Sequence, residues 1–389
     1  MKSLFSTPVL RTVSAVALLS LMAGCSLFSK DEEVGPEPTP LVKFDAQANV
    51  NKVWSASVGD GVGEYYLKLT PAIDGKVIYA ADARGVVAAF DRSTGKRLWR
   101  VSLKEPLSGG VGAGYGLVLL GTSSGHLVAL NKMDGSQVWR KEVSSEILSA
   151  PKTNASTVVV QTQDEKIFAF DHSSGEKRWQ YESGTPSLSL RGTSTPVLTP
   201  ELAIFGMGNG QVIALNPDNG SLIWKQRATG AEGRSEFERM TDIDGDLLLA
   251  GNELYVTSFQ GFVVALDVTT GRPLWRRELS SYQGPDEGLG NLYVSAADGE
   301  LSAISQSDSE LSWTQTALKH RGITAPVTFG NYVAVADSEG YLHVMSQRDG
   351  RFVARKKIDS DGVRSKLLAK SNMLYVYGNS GKLVAVTVE

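Results

Sequence analysis

A pattern of apolar and polar positions recurs along the chain at intervals of roughly 40 residues. In "GVVAAFDRSTGKRLW" (85–99), the apolar run "VVAAF" predicts a strand with period-two alternation. "DRSTG" has the composition of a tight turn, and "KRLWRVSL" predicts the next strand. The unit recurs as "GHLVALNKMDGSQVW" (125–139), "EKIFAFDHSSGEKRW" (165–179), "GQVIALNPDNGSLIW" (210–224), "GFVVALDVTTGRPLW" (261–275), "GELSAISQSDSELSW" (299–313) and "GYLHVMSQRDGRFVA" (340–354), and the chain ends on the half unit "GKLVAVTVE" (381–389).

Two further short strands, of the type "PAIDGKVIYAAD" (71–82), precede each unit. Four short strands per unit predict an all-β propeller of four-stranded antiparallel blades, and the eight motif starts predict eight blades. Trp54 in "NKVWSASV" (51–58) marks the strand that the C-terminal half unit lacks. We therefore expect the N- and C-terminal strands to share one blade and close the ring, which removes free sheet edges. A solenoid is the structural alternative, but solenoids need capped ends, whereas these ends complement each other.

The tryptophans end the repeat unit once per predicted blade, and Ala354 takes the place of the tryptophan in the seventh unit. Such regular placement predicts that the indole rings pack between neighbouring blades. The alternative is a tryptophan ladder that binds sugars.

The N-terminus predicts export and lipidation. Lys2 and Arg11 precede the apolar run "VSAVALLSLMAG", which is too short to span a membrane with margin. "LMAGC", ending at Cys25, resembles the lipobox at which bacterial lipoproteins are cleaved and acylated, and Ser26 implies sorting to the outer membrane. We expect a signal peptide over 1–24, a lipidated cysteine with a flexible tether over 25–50, and the propeller over 51–389. An ordinary secretory signal with a chance cysteine is the alternative.

Composition excludes several classes of function. The net charge is −3 with no basic block, which argues against nucleic acid as a partner. Cys25 is the single cysteine, so no internal disulfide can form. The four histidines lack metal-ligand spacing, and His126 and His172 fall at repeat turns where a solvated position is the better interpretation.

The short sequence motifs that could indicate catalysis or metal binding match their patterns and structural settings only in part. "GTSSG" (121–125) satisfies GxSxG but sits in a strand-to-strand turn, and no phosphate-binding GxxxxGK[ST] is present. "DIDGDLLLAGNE" (242–253) has acidic residues at four positions of a calcium loop, but Leu247 stands where the loop needs glycine. We expect no metal, no cofactor and no catalytic residue.

The repeat is interrupted by two long links, which contain "PSLSLRG" (186–192) and "GAEGRSEFERMTDIDG" (230–245). Both fall between the outermost strand of one predicted blade and the innermost strand of the next, so both should emerge on the same face. Loops on a rigid scaffold are the usual place for binding groups.

The first long link has the chemistry of a docking patch. Leu188 and Leu190 form a possible apolar pair, Arg191 offers a planar donor, and Asp242 and Asp244 in the second link provide opposite charge. The alternative is that the leucines begin the inner strand and that Arg191 pairs with those aspartates inside the protein.

The repeat resembles the tryptophan-docking motif of the quinoprotein alcohol dehydrogenases, which are also eight-bladed propellers. Those enzymes are much longer and need a vicinal disulfide, calcium ligands and a catalytic aspartate. With its one cysteine expected to carry lipid, this chain is not expected to hold a quinone.

From the lipobox to the C-terminus the chain resembles the BamB family, lipoproteins of the outer-membrane β-barrel assembly machinery. "PSLSLRG", "RSEFERMTDID" (234–244) and "DSEGYLHVMSQRDGRFVA" (337–354) carry the resemblance most sharply. It implies that the face with the two long links binds the periplasmic POTRA domains of BamA. The binding residues implied here are Leu188, Leu190, Arg191, Asp242 and Asp244.

The expected function is therefore a non-catalytic scaffold, lipid-anchored in the outer membrane and facing the periplasm. It would act as a monomer within a hetero-oligomeric complex, and unfolded outer-membrane proteins are a possible further partner through strand addition. Two alternatives stay open: a propeller that binds a small ligand or glycan in its central channel, and a divergent enzyme.

Overall fold

The structure, a computed structural model, describes residues 36–62, 67, 69–183, 192–228 and 242–389. Within these ranges all regular secondary structure is β-strand, arranged as eight four-stranded antiparallel sheets in an eight-bladed propeller. The predicted fold class is confirmed. Across the same ranges, no helix has the length and apolar character needed to cross a membrane.

The chain runs through each blade from the innermost strand to the outermost. Blade 8 takes its outermost strand, β1 (Val50–Ser57), from the N-terminal side of the chain. Blades 1 to 4 contain β2 (Ala72–Asp74), β3 (Val77–Ala81), β4 (Val86–Asp91), β5 (Arg97–Ser102); β6 (Leu107–Gly114), β7 (Leu117–Thr122), β8 (His126–Asn131), β9 (Gln137–Glu142); β10 (Lys152–Thr153), β11 (Thr157–Gln161), β12 (Lys166–Asp171), β13 (Lys177–Glu182); and β14 (Val197–Leu198), β15 (Ala203–Gly206), β16 (Gln211–Leu215), β17 (Leu222–Arg227).

Blades 5 to 7 and the rest of blade 8 follow in the same order. They contain β18 (Leu248–Ala250), β19 (Glu253–Thr257), β20 (Phe262–Asp267), β21 (Pro273–Glu278); β22 (Asp286–Gly288), β23 (Asn291–Ser295), β24 (Leu301–Ser305), β25 (Leu311–Gln315); β26 (Val327–Phe329), β27 (Tyr332–Ala336), β28 (Tyr341–Ser346), β29 (Phe352–Lys357); and β30 (Leu368–Lys370), β31 (Met373–Tyr377), β32 (Lys382–Val388).

Blade 8 closes the ring in the predicted way. β1 pairs antiparallel with β32, from Val50 opposite Val388 to Ser57 opposite Lys382. Because the two ends of the chain complete one sheet, separating them would expose an unpaired edge on blade 8.

The expected period-two alternation is wrong for the middle strands of the blades. In β4 four consecutive side chains, from Val87 to Phe90, are buried, and β8 and β12 show the same pattern. A middle strand lies between two neighbouring blades, so both of its faces are covered. The hydrophobic core accordingly consists of clusters that join residues of adjacent blades.

The tryptophans pack between blades, as predicted. Trp54 of blade 8 donates from its indole N–H to the carbonyl of Arg92 in blade 1, at 3.0 Å. A Cβ on Gly95, in the same turn, would lie 2.6 Å from the Trp54 ring, and the φ of this glycine is +69°. Equivalent glycines with positive φ lie against the tryptophan of the preceding blade at Gly135, Gly175, Gly220, Gly271 and Gly350. The tryptophan of the preceding blade therefore packs against the Asp/Ser/Gly turn of the repeat.

The compact unit that contains the propeller spans Pro38–Glu389. Of the residues before Pro38, the structure describes Pro36 and Glu37. Cys25 and the predicted signal peptide lie outside the described residues.

Candidate partner-docking surface

The two long links leave the propeller on one face. They run from β13 to β14 (183–196) and from β17 to β18 (228–247), each from an outermost strand to the innermost strand of the next blade. In a propeller of antiparallel blades such links all lie on one face, together with the turns between the second and third strands. We call this side of the propeller the docking face. Leu188, Leu190 and Arg191 lie outside the described residues.

The described ends of the two links touch each other. A Cβ on Gly192, the residue after Arg191, would lie 2.7 Å from Oδ1 of Asp244 in the second link. In the second link Ile243 is buried in the core between blades 4 and 5, against Gly206 of β15. Gly206 in turn donates its N–H to the hydroxyl of Ser194 at 2.9 Å. The structure thus brings the bases of the two links together at blade 4.

The two predicted aspartates have different surroundings. Asp242 is fully buried, and its backbone carbonyl accepts from the N–H of Phe259 at 2.9 Å. Asp244 is half-buried and is one of the residues that line a central cavity. Of the two, only Asp244 has a side chain that solvent or a partner can reach.

Glu165 is a further acidic residue at this site that sequence analysis did not single out. It lies in the turn between β11 and β12, on the docking face, and is 3% exposed. Its Oε2 accepts from the N–H of Gly208 in blade 4 at 3.1 Å. Burial, together with the negative charges of Asp242 and Asp244, raises the pKa of the Glu165 carboxyl to about 7, although the hydrogen bond from Gly208 acts in the opposite direction. The base of the two links therefore contains a carboxyl group that titrates near neutral pH.

The repeat itself contained a signal for this residue. Glu165 occupies the first motif position, where Gly85, Gly125 and Gly210 adopt positive φ in other blades. Glu165 adopts a φ of +61°, a conformation that is unfavourable for a residue with a Cβ. A glutamate in place of glycine at such a position is a departure that merits attention, because local strain clusters at functional sites.

The innermost strands surround a central cavity of about 330 Å3. Lys152, Lys366 and Asp246 line it, and the Lys366 ammonium lies 3.7 Å from a carboxylate oxygen of Asp246. Burial lowers the pKa of Lys152, and the positive charge of Lys366 acts in the same direction, whereas Asp246 opposes the shift. The cavity therefore carries charges of both signs.

The histidines are dispersed. His126 and His172 are half-buried rather than fully solvated, and the Nδ1 of each lies within hydrogen-bonding distance of a hydroxyl group, of Ser124 and Thr153 respectively. Within the described part of the chain, no group of three or more His, Cys, Asp or Glu side chains has the geometry of a metal site.

Comparison with known proteins identifies a family profile and a relative that carry the same description. The sequence profile of the family described as outer membrane protein assembly factor BamB matches residues 83–315. A protein of Pseudomonas aeruginosa named outer membrane protein assembly factor BamB is 55% identical over 373 residues, which make up 96% of this chain and 97% of that protein.

Solved structures agree in fold. The crystal structure of BamB from Moraxella catarrhalis has a TM-score of 0.80 and 28% sequence identity, covering 87% of this chain and 100% of that one. A quinohemoprotein alcohol dehydrogenase from Comamonas testosteroni has a TM-score of 0.70 at 15% identity, covering 87% of this chain and 76% of that one. The second similarity concerns the fold alone.

Proposed function

The chain belongs to the BamB family of outer membrane protein assembly factors, and from this premise we propose that it is a non-catalytic scaffold that docks on the periplasmic POTRA domains of BamA. Docking through one face holds these domains in a productive orientation. It also raises the local concentration of the assembly machinery near incoming outer-membrane proteins.

The contact between the bases of the two long links is the observation that carries this proposal. Gly192, the residue that follows Arg191, lies directly against Asp244. Asp244 is an acidic, half-buried side chain on the docking face. Leu188, Leu190 and Arg191 are proposed to contact BamA, because arginine is enriched among the residues that dominate interface energies. The two leucines would add apolar area that is removed from water on binding.

The two aspartates are proposed to act differently. Asp244 offers a carboxylate at the surface, whereas the buried Asp242 holds the base of the second link in place. A rigid base reduces the entropy that the links lose on binding, which favours affinity.

Membrane attachment completes the proposal. Cleavage before Cys25 and acylation of this residue would anchor the protein in the periplasmic leaflet of the outer membrane, since two or three acyl chains suffice for stable anchoring. Labelling with radioactive palmitate tests this step: the wild-type chain should take up label and Cys25→Ser should not. Label on the Cys25→Ser variant would contradict it.

A binding titration tests docking. The detergent-solubilised mature protein is titrated with BamA, and Leu190→Glu and Arg191→Asp are compared with Ser93→Glu, whose site is exposed in the β4–β5 turn on the opposite face. Loss of a dominant contact costs about 2 kcal/mol or more, roughly a 30-fold weaker Kd. We expect this loss for the two link variants at unchanged thermal midpoint, and none for the control. Unchanged affinity would refute docking through this link, and a large drop in the midpoint would assign these residues to holding the blade instead.

Unfolded outer-membrane proteins are proposed as a second partner, because within the described residues no further strand pairs with the outer edge of a blade. On blade 7 the backbone of Gln47 and Ala48 meets that edge at the carbonyl of Val353. The residue just before the tryptophan is an exposed apolar side chain on five of these strands: Val53, Leu98, Val138, Ile223 and Leu274. Replacing all five by serine should reduce photo-crosslinking of an unfolded barrel protein to this chain without weakening BamA binding. Equal crosslinking would refute this second contact.

A further inference from the structure

The segment before the first strand is fixed to the propeller. The N–H of Thr39 donates to the carbonyl of Lys319 at 3.1 Å, and the N–H of Gln47 donates to the carbonyl of Val353 at 2.9 Å. Phe44 packs into the core cluster between blades 6 and 7. Residues 39–47 therefore follow a defined path over the propeller before β1 begins.

Arg321 holds the start of this segment. Its side chain is 2% exposed, and its Nε donates to Oδ2 of Asp337 at 2.8 Å. One terminal nitrogen donates to the carbonyl of Thr39 at 2.8 Å, and the other donates to the carboxylate of Glu339. A buried guanidinium is stable only when such partners satisfy its donors, and the Thr39 carbonyl is one of them.

Arg355 holds the next part of the segment. It donates to the carbonyl of Val42 at 2.8 Å. Its guanidinium carbon lies 5.0 Å from the ring centre of Phe44 and 4.9 Å from that of Phe352, and the two rings stack at 5.4 Å. A cation close to two aromatic rings is attracted by both.

A buried histidine joins the two arginines. Nε of Arg355 donates to Nδ1 of His343 at 3.1 Å, so the proton of the neutral imidazole is on Nε2, which donates to Oδ2 of Asp337 at 2.8 Å. Asp337 also accepts from Arg321. We call these four residues the arginine clamp. They form one connected network beneath the segment.

Thr39 lies on the docking face, because the residues that bind it lie there. Lys319 and Arg321 lie in the link from β25 to β26, which runs from an outermost to an innermost strand as the two long links do. Asp337 lies at the turn between β27 and β28, a turn on this same face.

We propose that the arginine clamp captures residues 39–44 of this chain, so that the lipid-anchored segment leaves the propeller from the docking face, between blades 6 and 7. This inference rests on the proposed acylation of Cys25. From Cys25 to Thr39 an extended chain reaches at most about 50 Å, whereas release up to Val50 would extend the reach to about 90 Å. The clamp thus roughly halves the distance that the docking face can move from the membrane.

Hydrogen exchange of the mature, detergent-solubilised protein tests the clamp without depending on BamA or on the membrane. We expect the Thr39 and Gln47 amides to be protected in the wild type. Phe44→Ala and Arg355→Ala should accelerate exchange at Thr39 at least tenfold, with β3 amides unchanged. Phe44→Ala changes a side chain of the captured segment and leaves both arginines in place, so the test does not depend on whether loss of a buried arginine impairs folding. Arg84→Ala is the control, because Arg84 forms an exposed ion pair with Asp60. An unprotected Thr39 amide in the wild type would overturn the proposal.

Energy transfer tests the consequence for reach. Ser360 is exposed in the link from β29 to β30, and Ser360→Cys supplies the one free thiol of the acylated protein for a donor dye, with an acceptor lipid in the vesicle. Transfer should be lower for Phe44→Ala than for the wild type, and equal transfer in both would overturn the proposed reach. If the wild type fails to bind vesicles while Thr39 remains protected, acylation is refuted and capture of the segment stands.

Discussion

Six of the seven tryptophans pack on a glycine of the next blade, and this packing predicts a measurable difference between two glycines of blade 5. Gly271 has a φ of +69°, and a Cβ there would lie 2.5 Å from the Trp224 ring. Gly251 has a φ of +59°, but no atom lies within 4 Å of the same position. The Trp224 ring is buried, and its N–H donates to the carbonyl of Val268 at 2.9 Å, so it cannot move aside freely.

The expected costs follow from these contacts. Either alanine adopts a left-handed conformation, which costs about 1–2 kcal/mol. Gly271→Ala adds overpacking against the indole, about 1–3 kcal/mol, so its total cost is about 2–5 kcal/mol. The comparison of the two variants therefore isolates the contact with Trp224.

Urea unfolding at 25 °C, analysed by midpoint and slope, measures how much each of the two substitutions lowers the free energy of unfolding. The extra cost of Gly271→Ala should disappear in a Trp224→Leu background, because the smaller side chain leaves room for the methyl group. Equal destabilisation by Gly271→Ala and Gly251→Ala in the wild-type background would refute the role assigned to the tryptophan–glycine pair.

Two further predictions concern the blades and the base of the links. Trp179→Ala should destabilise the protein by about 3–5 kcal/mol in the same urea assay, and a cost below about 1 kcal/mol would contradict packing of this ring between blades. The Glu165 pKa is raised to about 7 from 4.5, so the wild type loses stability as pH rises from 4.5 through 7. The free energy of unfolding of Glu165→Gln, relative to that of the wild type, should therefore rise by up to about 3 kcal/mol between pH 4 and pH 8. Urea unfolding at both pH values measures this difference. A difference that does not change with pH would contradict the raised pKa.

The repeat predicted the architecture because each unit contains its own strand, turn and tryptophan signals. Trp54, far from the other units of its blade in sequence, still revealed how the ring closes. The alternation expected for the middle strands was wrong, since burial on both faces depends on neighbouring blades that a single unit does not reveal.

The arginine clamp could not be predicted from sequence. Arg321 and Arg355 contact carbonyl groups that lie 282 and 313 positions away along the chain. No local pattern marks such partners, and His343 occupies an apolar run as an ordinary strand residue would. The position of Glu165 was marked by a departure from the repeat, but its burial and its acidic neighbours come from the packing of blades 3 and 4 with the second link.

Site-specific photo-crosslinking in intact cells tests the central claim most directly. A photoreactive amino acid replaces Leu190 in the first long link, and Ser93, exposed on the opposite face, is the control position. Docking through the proposed face predicts a crosslink to BamA from position 190 and none from position 93. A folded protein at the outer membrane that crosslinks from position 93 but not from position 190 would contradict it.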